Sequence, residues 1–422
     1  MNKLTRKIIL LLCVLIMAVS AKASPLLLVG YPAQDPDLDT LRSGLFYPGD
    51  ESFSFLQKQF FIKNTFYNRG MVYSISILKD HPDLRYKLWL QPNPANIVVL
   101  LPGLGSNYTS SKITAFAELF YLKGYSVLAI SDVFNWEFSE SASSVLTPGF
   151  TPVDSEDIYF AVSKILNRIE LTHPKRIKDK LLVGYSMGAL HTLFIADLET
   201  KLGSDKIGFS RYLALNPPVD LLYATKKLDS YYAIAASWSQ KQIDQAIARA
   251  VDFLSKLNGK KFNQNDKVPM TKDEARYVIG FDFHNSLVEL IFSINSREDL
   301  GVIKAQSSWF SRDAVYKEIE HFTFEDYLVK FLENYYSNKL NIKMTTDELN
   351  KSSSLIAIEN TLKNNDKIRV IDTQDDFLVS KEQEAWLANT LGGKLTTLSN
   401  GGHLGYLHFR QASDLICSKL SD

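Results

Sequence analysis

The chain has 422 residues, 45% of them hydrophobic, 12% aromatic and 22% charged, and its 47 basic side chains are matched by 47 acidic ones. That is globular composition, ample for a large core and long enough for one elaborated domain or two. The even charge balance gives no sign of a nucleic-acid or anionic-membrane surface.

The first residues read as an address. Lys3, Arg6 and Lys7 make a basic start, residues 8–19 are unbroken apolar sequence, and Ala21-Lys22-Ala23 supplies a small-x-small cleavage site. This is a signal peptide over 1–23, with the mature chain expected to begin at Ser24 in the periplasm or outside the cell. The apolar run falls short of the ~20 residues that a spanning helix needs, so no transmembrane segment is expected in the mature chain. Cys13 follows Leu12 inside that run, which argues against lipidation. Cleavage leaves Cys417 alone, so no internal disulfide is expected. Its spacing from Leu415, Ile416 and Leu420 suits a core position of the last helix.

Residues 24–66, rich in Asp, Pro and Gly, read as an extension wrapped on the surface of the first core segment, 24–218. Residues 70–78 and 84–90 alternate well enough for two strands. After the turn at Pro92-Asn93-Pro94, residues 97–101 form a continuous apolar, β-branched run suited to a buried strand. A helix is expected at 113–122, closed by Gly124, and a strand at 125–130. Asp154 can cap a helix to about 171 that puts Ile158, Val162, Ile165 and Ile169 on one face. A strand at 181–183, a helix at 187–201 and a strand at 212–215 follow, stopped by Asn216-Pro217-Pro218. Such alternation predicts an α/β fold, a mostly parallel sheet with helices on both faces.

Residues 219–367 break the alternation. They carry helical patterns only, with Ile243, Ile247, Val251 and Leu254 on one face and Leu287, Leu290, Ile291 and Ile294 on another, and many aromatics, among them Phe281, Phe292, Trp309, Phe310 and Tyr327. An insertion of that size between two strands reads as a helical cap over the sheet's C-terminal edge. The second core segment, 368–422, resumes with a strand at 368–371, a helix at 381–391, a strand at 394–398 and a last helix at 407–420.

Gly184-Tyr185-Ser186-Met187-Gly188 joins an apolar strand to a helix. This is the G-x-S-x-G pattern of a nucleophile elbow, where the turn lifts the serine hydroxyl clear of the sheet. The pentapeptide alone arises by chance in roughly one unrelated chain in seven of this length. A serine nucleophile needs a base, and the base an orienting acid, on loops after later strands. His403 sits in Gly401-Gly402-His403-Leu404-Gly405, after the strand ending near 398. Asp376, three residues before Val379, is the favoured acid and Asp375 the reserve, both after the strand ending at 371. Two amides should face the developing oxyanion: that of Met187, and that of Leu104 in Pro102-Gly103-Leu104-Gly105-Ser106. His81, His173, His191, His284, His321 and His408 lack partners at metal-ligand spacing and read as structural. Asp220 reads as a helix cap before Leu221.

Together these residues resemble the α/β-hydrolase superfamily over roughly 70–219 and 368–422. Leu101-Pro102-Gly103-Leu104-Gly105-Ser106, Leu215-Asn216-Pro217-Pro218-Val219-Asp220, Asp375-Asp376-Phe377-Leu378-Val379 and Gly401-Gly402-His403-Leu404-Gly405-Tyr406 look most like its YheT-type branch of esterases. Pro102 departs from the His often found before the oxyanion-loop glycine, and an export signal is unusual for that branch. The resemblance implies a serine hydrolase with Ser186, His403 and Asp376 as its triad and Leu104 and Met187 as its oxyanion donors. It needs no metal or organic cofactor. An aromatic cap suits a small-molecule or lipid ester with a hydrophobic acyl part. A thioesterase, amidase, acyltransferase or non-catalytic envelope binding protein would share the same residues.

Overall fold

The computed structural model describes residues 24–46, 65–255, 264–305 and 312–421. The expected export signal at 1–23, and Trp309 and Phe310 of the insertion, lie outside them.

Eight strands form one sheet: β1 (Met71–Ile75), β2 (Leu84–Trp89), β3 (Ala95–Leu101), β4 (Ser126–Ala129), β5 (Ile177–Tyr185), β6 (Arg211–Leu215), β7 (Ile368–Thr373) and β8 (Leu395–Leu398). They lie in the order β1-β2-β4-β3-β5-β6-β7-β8. β2 runs antiparallel to both of its neighbours, and the pairs from β4 through β8 are all parallel. This is the α/β-hydrolase fold.

The helices used below are α1 (Pro36–Leu41), α2 (Ser111–Leu122), α3 (Trp136–Ser141), α4 (Thr151–Thr172), α5 (Met187–Lys201), α6 (Leu221–Tyr232), α7 (Gln240–Ser255), α8 (Lys272–Arg297), α9 (Lys381–Leu391) and α10 (Arg410–Ser421). The continuous apolar runs of β3, β5 and β6 feed two cores by strict alternation. Val98, Leu100, Leu181, Val183, Leu213 and Leu215 pack with Phe116 and Phe120 of α2 and Ile416 of α10. Val99, Leu182, Tyr212 and Ala214 pack with Ile158 and Ile165 of α4 and Leu190 and Leu193 of α5. Each such Val, Leu, Ile or Phe side chain, fully removed from water, contributes about 1.5–3 kcal/mol. The sheet is therefore covered on both faces, and its strand ends are fixed supports for loops.

Between β6 and β7 the described residues form helices and loops and no strand. On α8 the buried stripe includes Leu287, Leu290, Ile291 and Ile294, as spaced in the sequence. On α7 Ile243, Ile247 and Leu254 are half-buried against core clusters, Ala246, Ala250 and Phe253 are buried, and Val251 is exposed. Small alanines let that helix come close, and Phe253 fills a cluster with Leu38, Leu45 and Val268. A π-helical turn spans Tyr327–Glu333. The last helices before β7, Leu355–Ile358 and Glu359–Asn364, pack on α5 and form the crossover to β7. No helix among the described residues is long and apolar enough to cross a membrane.

Two expectations are corrected. Asp154 does not cap α4, which starts at Thr151 with Pro152 in its first turn, where a missing N–H costs nothing. Asp154 reaches back instead to accept from Gly149 N at 2.8 Å. Residues 24–46 wrap the surface only in part: 24–36 are exposed or half-buried apart from Leu28, while most of 37–46 is buried. Leu26 N donates to Thr397 O of β8 at 2.8 Å, and Asp37, Asp39 and Arg42 are all buried. Arg42 Nη1 meets Asp39 Oδ1 at 3.0 Å with both side chains fully enclosed. Charges buried as a mutually bonded set leave no apolar period to read.

Candidate active site

The elbow is set by sterics. Ser186 has φ 55° and ψ −123°, a conformation that non-glycine residues rarely adopt. A Cβ on Gly184 would stand 2.0 Å from Gly188 O, and one on Gly188 would stand 2.2 Å from Leu101 O. Only glycine lets the start of α5 cross the end of β3 so closely. Ser186 N donates to Leu215 O at 2.8 Å, so the sheet holds the strained residue from below.

Three side chains separated in sequence meet above it. His403 Nε2 lies 2.9 Å from Ser186 Oγ, and His403 Nδ1 lies 2.7 Å from Asp376 Oδ2. All three residues are buried. Leu378 N donates to Asp376 Oδ1 at 2.9 Å, so both carboxylate oxygens are engaged. With Asp376 accepting at Nδ1, that nitrogen carries the proton and Nε2 is free to accept one from serine.

Asp375 points elsewhere. Its two oxygens accept from Gly402 N at 2.9 Å and Gly401 N at 3.2 Å, so it fastens the loop that carries His403. The same loop is held from the other side by Thr40 at the end of α1, whose Oγ1 accepts from His403 N at 2.9 Å. Gly402 and Gly405 lie against the Pro36 and Asp39 carbonyls, where a Cβ would come within 2.1 and 1.9 Å. Sequence reasoning missed Thr40 because the 24–46 segment carries no period.

It also missed Asn216, the residue after β6. Asn216 Nδ2 reaches Asp376 Oδ2 at 2.8 Å, Asp372 Oδ1 at 3.0 Å and Thr373 Oγ1 at 3.4 Å. Burial, with Asp376 alongside, holds Asp372 well above the usual carboxylate range. Asn216 Oδ1 is buried with no partner among the described residues. An orphaned oxygen costs about 1–3 kcal/mol, and the hydrogen bond to the Asp376 carboxylate returns about 1.5–3 kcal/mol, with those to Asp372 and Thr373 adding to it. The observed orientation of the amide is therefore the favoured one.

Gly103 abuts the serine so closely that a Cβ there would stand 3.2 Å from Ser186 Cβ. The amides of Leu104 and Met187 make no hydrogen bond among the described residues, which leaves both open to an incoming oxygen. The next residue, Gly105, is clamped by the turn after β4. Its N–H donates to Asp132 Oδ1 at 2.9 Å, its carbonyl accepts from Asn135 Nδ2 at 3.0 Å, and Ser106 O accepts from Asp132 N at 2.9 Å. Burial pushes the Asp132 carboxyl up to about 7.

The insertion and the N-terminal segment close the site. Phe377 stands edge-on to His403 with ring centres 5.9 Å apart, and Tyr231 of α6 stacks on Phe377 at 4.8 Å. Tyr231 donates to Asp37 in α1, and Arg276 of α8 meets Asp37 Oδ2 at 2.8 Å. Asp220 caps α6 through Tyr223 N at 2.7 Å and also accepts from Asn350 at 2.9 Å. His408, five residues beyond His403, faces carbonyls of Gly405 and Gln264 and has no part in the serine contact. Cys417 is buried in α10.

No protein-family model matches the chain, and no curated protein matches it. Among solved structures it is similar to Est1E from Butyrivibrio proteoclasticus at 11% identity, covering 83% of this chain and 99% of that one with a TM-score of 0.40. It is similar to a Pyrococcus furiosus esterase, PF2001, at 13% identity, 85% and 93% coverage and a TM-score of 0.42. A thioesterase domain from the curacin biosynthetic pathway aligns at 15% identity, 82% and 99% coverage and a TM-score of 0.40.

Proposed function

We propose that the chain is an exported serine hydrolase that cleaves a carboxylic ester, as the likeness of its motifs to the YheT-type esterases implies. The observation that carries this reading is the relay from Asp376 Oδ2 through His403 to Ser186 Oγ, at 2.7 and 2.9 Å, on a serine held at φ 55°. Ser186 Oγ attacks the acyl carbonyl while its proton passes to His403 Nε2. The Leu104 and Met187 amides receive the negative oxygen. Collapse expels the alcohol, which takes the proton back from His403 and leaves an acyl-serine. Water, deprotonated by His403, releases the acid and restores the serine. Asp376 keeps the ring in the right tautomer and stabilises its positive charge.

In this reading residues 1–23 direct the chain to the periplasm or the exterior, and 219–367 act as a cap that selects a small-molecule or lipid ester. The aromatic and aliphatic side chains over the site, Phe377 and Tyr231 among them, suit a hydrophobic acyl group. The burial of Ser186 favours one further reading, transfer of the acyl group to an alcohol in place of water.

Labelling of the purified protein by a fluorophosphonate, compared with Ser186→Ala, tests the proposal. Label on the native protein and none on the variant is expected; equal labelling of both overturns the nucleophile assignment. A chain-length series of aryl esters, run with and without a competing alcohol, reads the acyl preference and separates hydrolysis from transfer.

A further inference from the structure

Asn216 occupies a place that the triad alone does not explain. It follows β6, has φ 49°, and its backbone N–H donates to Ile371 O of β7 at 2.8 Å. Asparagine is one of the few side-chain-bearing residues that enter the left-handed region readily. The turn projects its amide into the gap between two buried carboxylates, where Nδ2 is 2.8 Å from Asp376 and 3.0 Å from Asp372. The opposite orientation would turn Oδ1 towards the same oxygens and lose the bond to Asp376. The fold instead leaves Oδ1 without a partner among the described residues in order to keep Nδ2 where it is.

The two acids are four residues apart on the same strand end, and only one of them touches the histidine. Asp372 Oδ1 accepts from Thr373 N at 2.8 Å as well as from Asn216. Asp376 Oδ2 accepts from both Asn216 and His403 Nδ1. The ionisable groups around this pair are Asp375 and His403, Glu384 of α9, Tyr406 beyond the histidine loop, and Tyr223 of α6. No lysine or arginine appears among these neighbours, so the Asn216 amide is the polar group that separates the two acids.

We infer that Asn216 is a positioning residue for the reaction: its amide fixes Asp376 Oδ2 against the ring of His403 and keeps Asp372 out of that place. The inference rests on the hydrolase reading, because it assigns Asn216 a task within that triad. Asn216 touches neither the serine nor the substrate carbonyl, and it acts through Asp376. Without the amide, Asp376 loses a donor and turns toward or away from Asp372, and the imidazole loses its fixed tautomer for part of the time.

Asn216→Gly tests this, since glycine accepts the positive φ and removes only the side chain. Expected are a kcat lower by about tenfold or more with KM within about twofold, and slower fluorophosphonate labelling by the same factor. The acid limb of the kcat/KM profile should move to higher pH, because a carboxylate with one donor fewer holds a neighbouring positive charge more tightly. Native kcat and an unmoved pH profile in Asn216→Gly overturn the inference. So does a loss of activity that tracks a loss of folded protein by circular dichroism while the acid limb stays in place. A native protein that neither labels nor turns over esters would count against the hydrolase reading itself, which is a different result.

Discussion

Asp375 and Asp376 divide the histidine loop between them: Asp375 binds the backbone amides of Gly401 and Gly402, and Asp376 binds the ring that this loop carries. Neighbouring carboxylates thus have separable effects. Asp376→Asn should lower kcat by about 10⁴ with little change in melting temperature, since it leaves the loop in place but disturbs the tautomer. Asp375→Ala should lower stability by about 1–3 kcal/mol, by orphaning two amides, with a far smaller fall in kcat. Steady-state kinetics beside thermal melts read both, and a larger catalytic loss at Asp375 would reverse the assignment.

The elbow glycines should tolerate no side chain. Gly188→Ala places a methyl 2.2 Å from Leu101 O and 2.4 Å from Pro102 O, both backbone atoms that cannot step aside. The variant should lose about 3 kcal/mol or more, or fail to fold, as measured by urea denaturation. Gly203→Ala, at a surface position where nothing lies within 4 Å, is the control that should fold normally.

Asp132 links the Gly103–Ser106 loop to pH. Burial raises its carboxyl from the usual carboxylate range to about 7. The folded state therefore holds a proton that the unfolded state has released, and stability contributed by this group is lost as pH rises from about 4 to about 7. Asp132→Asn escapes that loss, so its melting temperature relative to the native protein should climb across this range and level off above it. Asp132→Ala removes the acceptor for Gly105 N–H as well, and should reduce kcat by about tenfold through the neighbouring Leu104 amide.

His191, on α5 behind the serine, is fully buried, and neither ring nitrogen has a hydrogen-bond partner among the described residues. Burial lowers it well below the usual imidazole range, to about 3. Here the unfolded chain takes the proton first, so stability falls as pH drops below about 6.5. His191→Leu should be neutral or stabilising by up to about 2 kcal/mol at pH 7, with an advantage that widens toward pH 4. A melting series from pH 4 to 8 checks the trend.

The parts of this molecule that were readable are those where one physical signal dominates. Short apolar runs marked β3, β5, β6 and β7, because a strand covered on both faces needs little else. The glycines around Ser186 and His403 marked tight turns between such strands. Thr40, Asn216 and Asp132 were not readable, because each acts through hydrogen bonds to residues 27 to 363 positions away. Asp37, Asp39 and Arg42 look like surface residues in sequence and are interior because they satisfy one another and their neighbours. On α7 the alanines are buried more deeply than Ile243 and Ile247, which pack beside them on the same side, and apolar spacing alone does not show that small residues lie innermost.

Ser186 lies before the insertion, and Asp376 and His403 lie in the last 50 residues of the chain, beyond it. A chain still being synthesised, or one cut short anywhere in the insertion, holds the serine without its base. In the proposed reading, a cut within the insertion therefore parts the nucleophile from both of its partners, and neither fragment alone can form the relay.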